Sequence, residues 1–277
     1  MKLATYDDGS RDGQLVVVSR DLSTAHYATG IATRLQQVLD DWNFLSPQLQ
    51  DLAVTLDHGK ARHAFAFDPR RCKAPLPRAF HWVDGRAWQA TPGSPSALRP
   101  GGGDAFLGAC EDLPGPAGDA ALEAGAAIVL VTGDLPAGSP PEQALEAIRL
   151  LMLAQVLTVD GQLPPGPTFA PLAVTPDELG EAWQGGRLRL ALRQVLNDQP
   201  VAPAADPADR PVGPLLAHLA GARPLRAGAL VGVDAGVPQT LRLQPGDRLR
   251  AEAVGRDGQS VFGAIDLNVA DPAAASD

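Results

Sequence analysis

A buried β-strand is the feature that most constrains the fold of this chain. From Leu122 to Asp134 the sequence is almost continuously apolar and then enters a Gly-Asp turn, a pattern that indicates a strand inside a sheet. Residues two apart on a strand face the same side, so Glu123 and Gly125 share one face. Of these two residues, only Glu123 carries a side chain that can bind a cation.

Composition narrows the class of protein. The chain has 277 residues, 45% of them hydrophobic, which is enough for one large or two modest domains. A net charge of −9, with Lys and Arg scattered, argues against a nucleic-acid surface. No apolar run reaches the roughly 20 residues of a membrane helix, and the first residues lack the apolar stretch of a signal peptide. We therefore expect a cytoplasmic protein. Cys72 and Cys110 alone predict neither a zinc site nor a disulfide framework.

Local signals divide the chain into four parts. Residues 1–75 are predicted to form a compact opening unit, with a strand at 14–19 and a helix that begins at Ser46 as N-cap with Pro47 in its first turn. Residues 76–119 form a Gly/Pro-rich connector, and we expect neither regular structure nor rigidity in residues 92–119. Residues 120–269 form the larger unit, and residues 270–277 form a frayed tail.

The larger unit is predicted to be mainly β with short helices. A capping box at Ser139 opens a helix that continues through Ile148 and Met152, and a second capping box at Thr175 opens a helix through Trp183. Strands are predicted at 126–131, 168–174 and 261–267, and alternation of apolar and polar residues indicates two more at 188–193 and 249–253. A short helix is predicted at 214–220.

Several segments resemble bacterial fumarylacetoacetate hydrolases. In order, they are residues 1–6, 11–18, 25–52, 74–79, 133–134 with 149–154, 173–180 and 260–266. The resemblance implies a mainly β (α+β) fold, namely a fumarylacetoacetate-hydrolase-like β-sandwich roll with a small N-terminal SH3-like β-domain, assembled as a homodimer. It also implies hydrolysis of a C–C bond in a β-diketo acid by a divalent cation, a His-activated water, a Lys and a Thr.

The functional positions of the resembled family can be carried over one at a time. Its Glu-x-Glu strand falls on Glu123 and Gly125, and a ligand Asp falls on Val156. The family's Lys falls on Pro164 and its Thr falls on Ala235. Its catalytic His falls on Thr91, and an earlier metal Asp falls on Asp104. Carboxylates therefore remain only at Glu123 and Asp104. One Glu with waters carries too little anionic charge for Mg²⁺, which takes six oxygens, or for Ca²⁺, which takes six to eight.

Three hypotheses follow from these replacements. In the first, the active site is degenerate, the chain is catalytically inactive or impaired and binds no cofactor, and it persists as a binding or assembly subunit or as a decaying copy. In the second, it is an active hydrolase of fumarylacetoacetate or acylpyruvate type that holds Mg²⁺ or Ca²⁺ with carboxylates relocated to the 92–119 segment, such as Asp104, Glu111 and Asp112. In the third, it forms a hetero-oligomer with an active relative. The same replacements would also be seen if this were the sequence of an ordinary enzyme that had been engineered or contained errors.

The histidines offer few candidates for a general base. No His lies between His81 and His218, and His81 precedes the expected catalytic segment by too much for a register shift. We therefore interpret His81 and His218 as packing residues. Glu123 is interpreted more readily as a solvated residue at a strand start than as a metal ligand.

Overall fold

The computed structural model describes residues 1–89, 94, 97–116, 120–162, 166–202, 211–235, 240–255 and 258–271. The helices are α1 (Leu35–Asp40), α2 (Trp42–Asp57), α3 (Pro141–Glu146) and α4 (Gly213–Leu219), with 3-10 turns at Pro69–Arg71, Arg86–Gln89 and Pro176–Ala182. The strands of the first half are β1 (Lys2–Tyr6), β2 (Gln14–Val18), β3 (Thr24–Tyr27), β4 (Phe65–Ala66), β5 (Trp82–Asp84), β6 (Arg99–Pro100) and β7 (Leu122–Thr132). Those of the second half are β8 (Ile148–Val159), β9 (Thr168–Val174), β10 (Trp183–Gln184), β11 (Arg187–Leu188), β12 (Ala191–Leu196), β13 (Gln199–Val201), β14 (Leu230–Asp234), β15 (Leu241–Leu243), β16 (Arg248–Val254) and β17 (Ser260–Asn268).

Two sheets carry the fold. The large sheet has the order β4-β3-β2-β1-β9-β8-β7-β14-β5-β6, with β15 also pairing with β7, and β14–β5 is its parallel pair. The second sheet has the order β13-β12-β16-β17 and packs through β17 onto β9. The two sheets approach so closely there that a Cβ on Gly263 would collide with the Pro171 ring. None of the described helices is long and apolar enough to cross a membrane.

The central strands are buried on both faces. Along β7, Ile128 and Leu130 belong to one apolar cluster, while Val129 and Val131 belong to a second cluster on the opposite face of the sheet. The first cluster includes the inner face of the second sheet, and the second includes α1, α2 and the inner sides of β1 and β2. Because β1 pairs with both β2 and β9, the strands of the opening unit continue the large sheet. The domain limits at 75, 119 and 269 and the SH3-like form stay predictions.

The helix predicted from Ser139 through Met152 is largely wrong. The helix α3 ends at Glu146, and Ile148–Val159 is the strand β8, paired with β7 along its length. Nearly every β8 residue is buried, because the strand lies between two apolar clusters. A strand covered on both faces is apolar at almost every position, so apolar residues also occur at helical spacing by coincidence.

The predicted helix starts are also wrong in detail. The helix α2 begins at Trp42, so Ser46 is not its N-cap and Pro47 lies inside the helix. The N-cap of α3 is Pro140, which has no hydroxyl, and Ser139 binds the Pro136 carbonyl instead. Thr175 precedes a 3-10 turn, but its hydroxyl accepts a hydrogen bond from the Met1 amino group at 2.7 Å. In the last two cases the predicted capping hydroxyl is committed to a different partner.

The described part of the 92–119 segment contains little regular structure, as expected, but it is tied to the body. Its strand β6 has two residues. Leu107 pairs with β9 through the hydrogen bond from the Phe169 amide to its carbonyl, at 3.0 Å, and the Leu113 amide donates to the Asn268 carbonyl at 2.8 Å. Phe106 and Leu113 are buried. Apolar side chains spaced along this Gly/Pro-rich sequence therefore anchor residues 106–113.

Gln155 and Thr168 form a buried polar pair, and its removal is expected to stabilise the fold. The two residues face each other across β8 and β9, both are fully buried, and neither side chain has a hydrogen-bond partner among the described residues. An unsatisfied buried polar group costs about 1–3 kcal/mol. We expect Gln155→Leu with Thr168→Val to raise the free energy of unfolding by about that amount, measured by urea denaturation.

The matched control is Gln162→Leu, since Gln162 is exposed and should change the stability by no more than about 0.5 kcal/mol. A loss of stability in the double variant would contradict the prediction, because it would mean that the pair is satisfied by bound water.

Candidate functional site

The structure brings Gly125 and Val156 directly opposite each other. They are cross-strand partners in the β7–β8 ladder, and Glu123 pairs with Thr158 one step away on the same face. Val156 is buried. The Glu123 side chain is 30% exposed and its Oε1 lies 3.6 Å from Nε of Arg242, which is itself 80% exposed. The three positions that the sequence singled out therefore share one patch of sheet, where Glu123 supplies the carboxylate and forms a surface ion pair.

An arginine side chain reaches this patch from a neighbouring strand. Asp84 ends β5, whose parallel pairing with β14 continues through the hydrogen bond from the Gly85 amide to the Gly232 carbonyl, at 2.9 Å. Arg86 then opens a 3-10 turn, and its guanidinium lies against Gly125. A Cβ at Gly125 would collide with Nη1 of Arg86. The absence of a side chain at Gly125 is thus what admits the guanidinium.

Asp84 holds the guanidinium in place through a bidentate pair. Nε of Arg86 donates to Oδ1 of Asp84 and Nη2 donates to Oδ2, both at 2.9 Å, and the Arg86 amide also donates to Oδ1 at 3.2 Å. The Asp84 side chain is only 4% exposed and that of Arg86 is 22% exposed. A bidentate arginine–carboxylate pair of this kind is a strong charge-assisted contact. It compensates the cost of burying the Asp84 charge away from water. Sequence reasoning missed this Asp84-x-Arg86 pair.

These residues do not fit a divalent metal ion. Gly125 and Val156 offer no side-chain oxygen, and a cationic guanidinium stands where a ligand at position 125 would project. Mg²⁺ needs six oxygens in a tight octahedron. Within the described ranges, no group of three or more His, Cys, Asp or Glu is arranged to hold a metal ion.

The remaining predicted positions are spread over the structure. Thr91 and Pro164 lie outside the described residues, and Ala235 directly follows β14. Asp104 is exposed and lines a different feature, a groove of about 630 Å³ beside α1 that also includes Arg78 and Phe80.

The carboxylates proposed for a relocated cluster have local partners. Glu111 accepts a hydrogen bond from the Gly108 amide at 3.0 Å, and Asp112 accepts one from Asn268 at 3.0 Å. Both side chains therefore serve to fix the backbone and strand edge next to them.

The two histidines interpreted as packing residues contact other side chains. His81 lies beside Arg223, whose Nη2 is 3.0 Å from Nδ1 of the imidazole. Burial, followed by the positive charge of Arg223, lowers the pKa of His81. His218 packs its ring against Trp88, with centroids 5.7 Å apart. Neither of these described contacts includes Asp84 or Arg86.

Comparison with known proteins identifies the fold. Residues 1–78 match the family described as fumarylacetoacetase N-terminal domain 2. Maleylpyruvate hydrolase from Sphingobium sp. SYK-6 superposes with a TM-score of 0.74 at 14% identity, over 98% of this chain and 99% of that one. The structure of that enzyme in complex with manganese(II) and pyruvate gives a TM-score of 0.73. Fumarylacetoacetate hydrolase from Exiguobacterium antarcticum gives 0.70 at 18% identity, over 98% and 99% of the two chains.

The comparison with curated proteins finds no match. The fold class predicted from the sequence is confirmed, since the chain is mainly β with short helices and has the overall fold of these enzymes. The N-terminal domain match and the shared fold together support membership of the fumarylacetoacetate hydrolase family.

Proposed function

Because residues 1–78 belong to the fumarylacetoacetase N-terminal domain family and the whole chain has the fold of its hydrolases, we propose that this protein is a non-catalytic member that acts as a binding or assembly subunit. One observation carries the proposal: the Arg86 guanidinium occupies the space of a side chain at Gly125. The relative from Sphingobium is seen with manganese(II). In this chain a fixed organic cation, the Arg86 guanidinium, stands in the patch to which the resemblance carries the metal-ligand positions Glu123, Gly125 and Val156.

The donor set supports the same conclusion. A metal ion that activates water and polarises a carbonyl contributes several kcal/mol to catalysis, and it needs anionic oxygens to be retained. Glu123 is the carboxylate left at the carried-over positions of this patch, and Arg242 already neutralises part of its charge. Asp84 is not available as a further ligand, because both of its carboxylate oxygens accept hydrogen bonds from the Arg86 guanidinium.

We test the proposal by calorimetric titration of the full chain with Mn²⁺ and Mg²⁺. The expected result is no saturable heat up to millimolar metal. Micromolar binding that is abolished by Glu123→Ala would contradict it and favour the metal-dependent hydrolase. Asp104→Asn is the matched variant, because loss of such binding in this variant alone would assign the ligands to the 92–119 segment.

The assembly is part of the proposal. We propose a homodimer, with a hetero-oligomer that includes an active relative as the other arrangement. Affinity purification of the chain from its native host, followed by mass spectrometry of the intact complex, distinguishes the two. Recovery of the monomer alone would count against both.

A further inference from the structure

We propose that the groove of about 630 Å³ beside α1 docks a short segment of a partner protein, in which a large apolar side chain lies next to a lysine or an arginine. The inference rests on the proposed function, because it names the surface and the partner chemistry of a binding subunit. Phe80 of the groove precedes β5 and Arg86 follows it, so the groove and the Arg86 patch lie at opposite ends of this strand.

The groove combines an apolar floor with a large exposed apolar side chain. Leu35, Leu76 and Ala79 line the groove, and each of them is buried. Phe80 lines it as well, but 64% of this residue is exposed. The backbone next to Phe80 is fixed, because the Ala79 amide donates to the Gly103 carbonyl at 2.7 Å. An apolar side chain that enters the groove would therefore bury the phenyl group against itself, and aromatic side chains held in this way dominate the energetics of interfaces.

The two arginines of the groove already have anionic partners. Nε and Nη2 of Arg78 donate to the two carboxylate oxygens of Asp12 at 2.7 and 2.8 Å. Nη1 of Arg34 donates to Asp8 at 2.9 Å. Because both positive charges are paired, an acidic partner would find no unpaired arginine among the described residues that line the groove.

Two carboxylates of the groove, by contrast, have no cationic partner. Asp40, at the end of α1, accepts a hydrogen bond from the neutral Gln36 amide at 2.8 Å, and Asp104 is exposed. Neither carboxylate forms an ion pair within the described ranges. Their negative charge favours a lysine or an arginine beside the apolar side chain of the partner. A second copy of this chain, with a net charge of −9, would bring like charge to the groove and is disfavoured there.

The experiment titrates the full chain, in EDTA, into the rhodamine-labelled peptide Gly-Lys-Leu-Trp-Lys-Gly and follows fluorescence anisotropy. We expect saturable binding with a Kd on the order of 100 μM, as one anchor in an open groove gives. Phe80→Ser should weaken the binding about tenfold. Phe44→Ser is the matched control, because Phe44 is 66% exposed but lies on α2 away from the groove, and it should leave the Kd within about twofold.

The charge complementarity is tested on both sides of the contact. Asp40→Asn and Asp104→Asn should each weaken the binding about threefold, as the loss of an exposed ion pair does. A matched peptide with glutamate in place of both lysines should show no saturable binding. Equal binding of the two peptides, or an unchanged Kd in Phe80→Ser, would overturn the inference.

Sedimentation velocity of the same variants distinguishes a partner segment from a second copy. If Phe80→Ser dissociates an oligomer of this chain and Phe44→Ser does not, the groove is an interface between copies and the inference is overturned. A chain that binds neither the basic peptide nor Mn²⁺ overturns the inference alone. Micromolar Mn²⁺ binding by a chain that still binds the peptide overturns the proposed function alone.

Discussion

Arg86→Met is expected to lower the free energy of unfolding by about 3 kcal/mol. The substitution keeps an unbranched side chain over Gly125 but leaves the Asp84 carboxylate, only 4% exposed, without the two hydrogen bonds that compensate its burial. Removal of one partner from a buried ion pair is costly because the other charge remains desolvated. Urea denaturation at pH 7, followed by far-UV circular dichroism, measures the loss.

The double variant Asp84→Leu with Arg86→Met is the control. It removes both charges at once, so it should recover most of the stability that the single variant loses. The single variant Asp84→Leu completes the double-mutant cycle. It leaves the Arg86 guanidinium without its partner, and because this group is less buried than Asp84, the loss in the free energy of unfolding should be smaller than for Arg86→Met. Additive effects of the two substitutions would contradict the prediction, because uncoupled residues add and a bidentate pair does not.

The sequence predicts those elements whose signal is local and one-sided. The strand at 168–174 and the helix at 214–220 are found within a residue of their predicted limits, as β9 and α4. The strand predicted from the alternation of Leu249, Ala251 and Ala253 with charged neighbours is confirmed as β16, because these three residues are buried and the charged residues between them face solvent. Each of these signals depends on the residues of one segment and its own exposure.

The strand β8 shows where such reasoning fails. Its twelve residues, Ile148–Val159, are covered on both sides, so its sequence has no period that separates strand from helix. What makes it a strand is pairing with β7 and β9, and those partners lie more than ten residues away along the chain. Tertiary context of this kind overrides local propensity.

The candidate site was predictable only in part, for a similar reason. The resemblance placed Gly125 and Val156 at functional positions, and the register shows them facing each other. Arg86 was not predictable, because its side chain reaches Gly125 only through the parallel pairing of β5 with β14 and the 3-10 turn that follows. Two signals were present in the sequence, a glycine inside a buried strand and an Asp-x-Arg spacing, but only the fold connects them.

Rebuilding the carboxylates while removing the arginine is expected to create a metal site. In the triple variant Arg86→Ser, Gly125→Glu, Val156→Asp, two new carboxylates would project from directly opposed positions, with Glu123 two residues along β7 on the same face. These three carboxylates, together with Asp84, which loses its arginine partner in this variant, supply the anionic oxygens that a divalent ion requires. We expect Mn²⁺ affinity to rise roughly 100-fold or more over the unmodified chain, measured by calorimetry.

The decisive control is the double variant Gly125→Glu, Val156→Asp with Arg86 retained. In that protein the guanidinium pairs with the new carboxylates and its charge repels the ion, so affinity should stay near that of the unmodified chain. Equal Mn²⁺ binding by the double and triple variants would show that Arg86 does not control this site. Absence of binding by a folded triple variant would show that the opposed positions do not converge on one ion. A gain in Mn²⁺ affinity confined to the triple variant would show that metal binding at this patch depends on two conditions: carboxylates at positions 125 and 156, and removal of the Arg86 guanidinium.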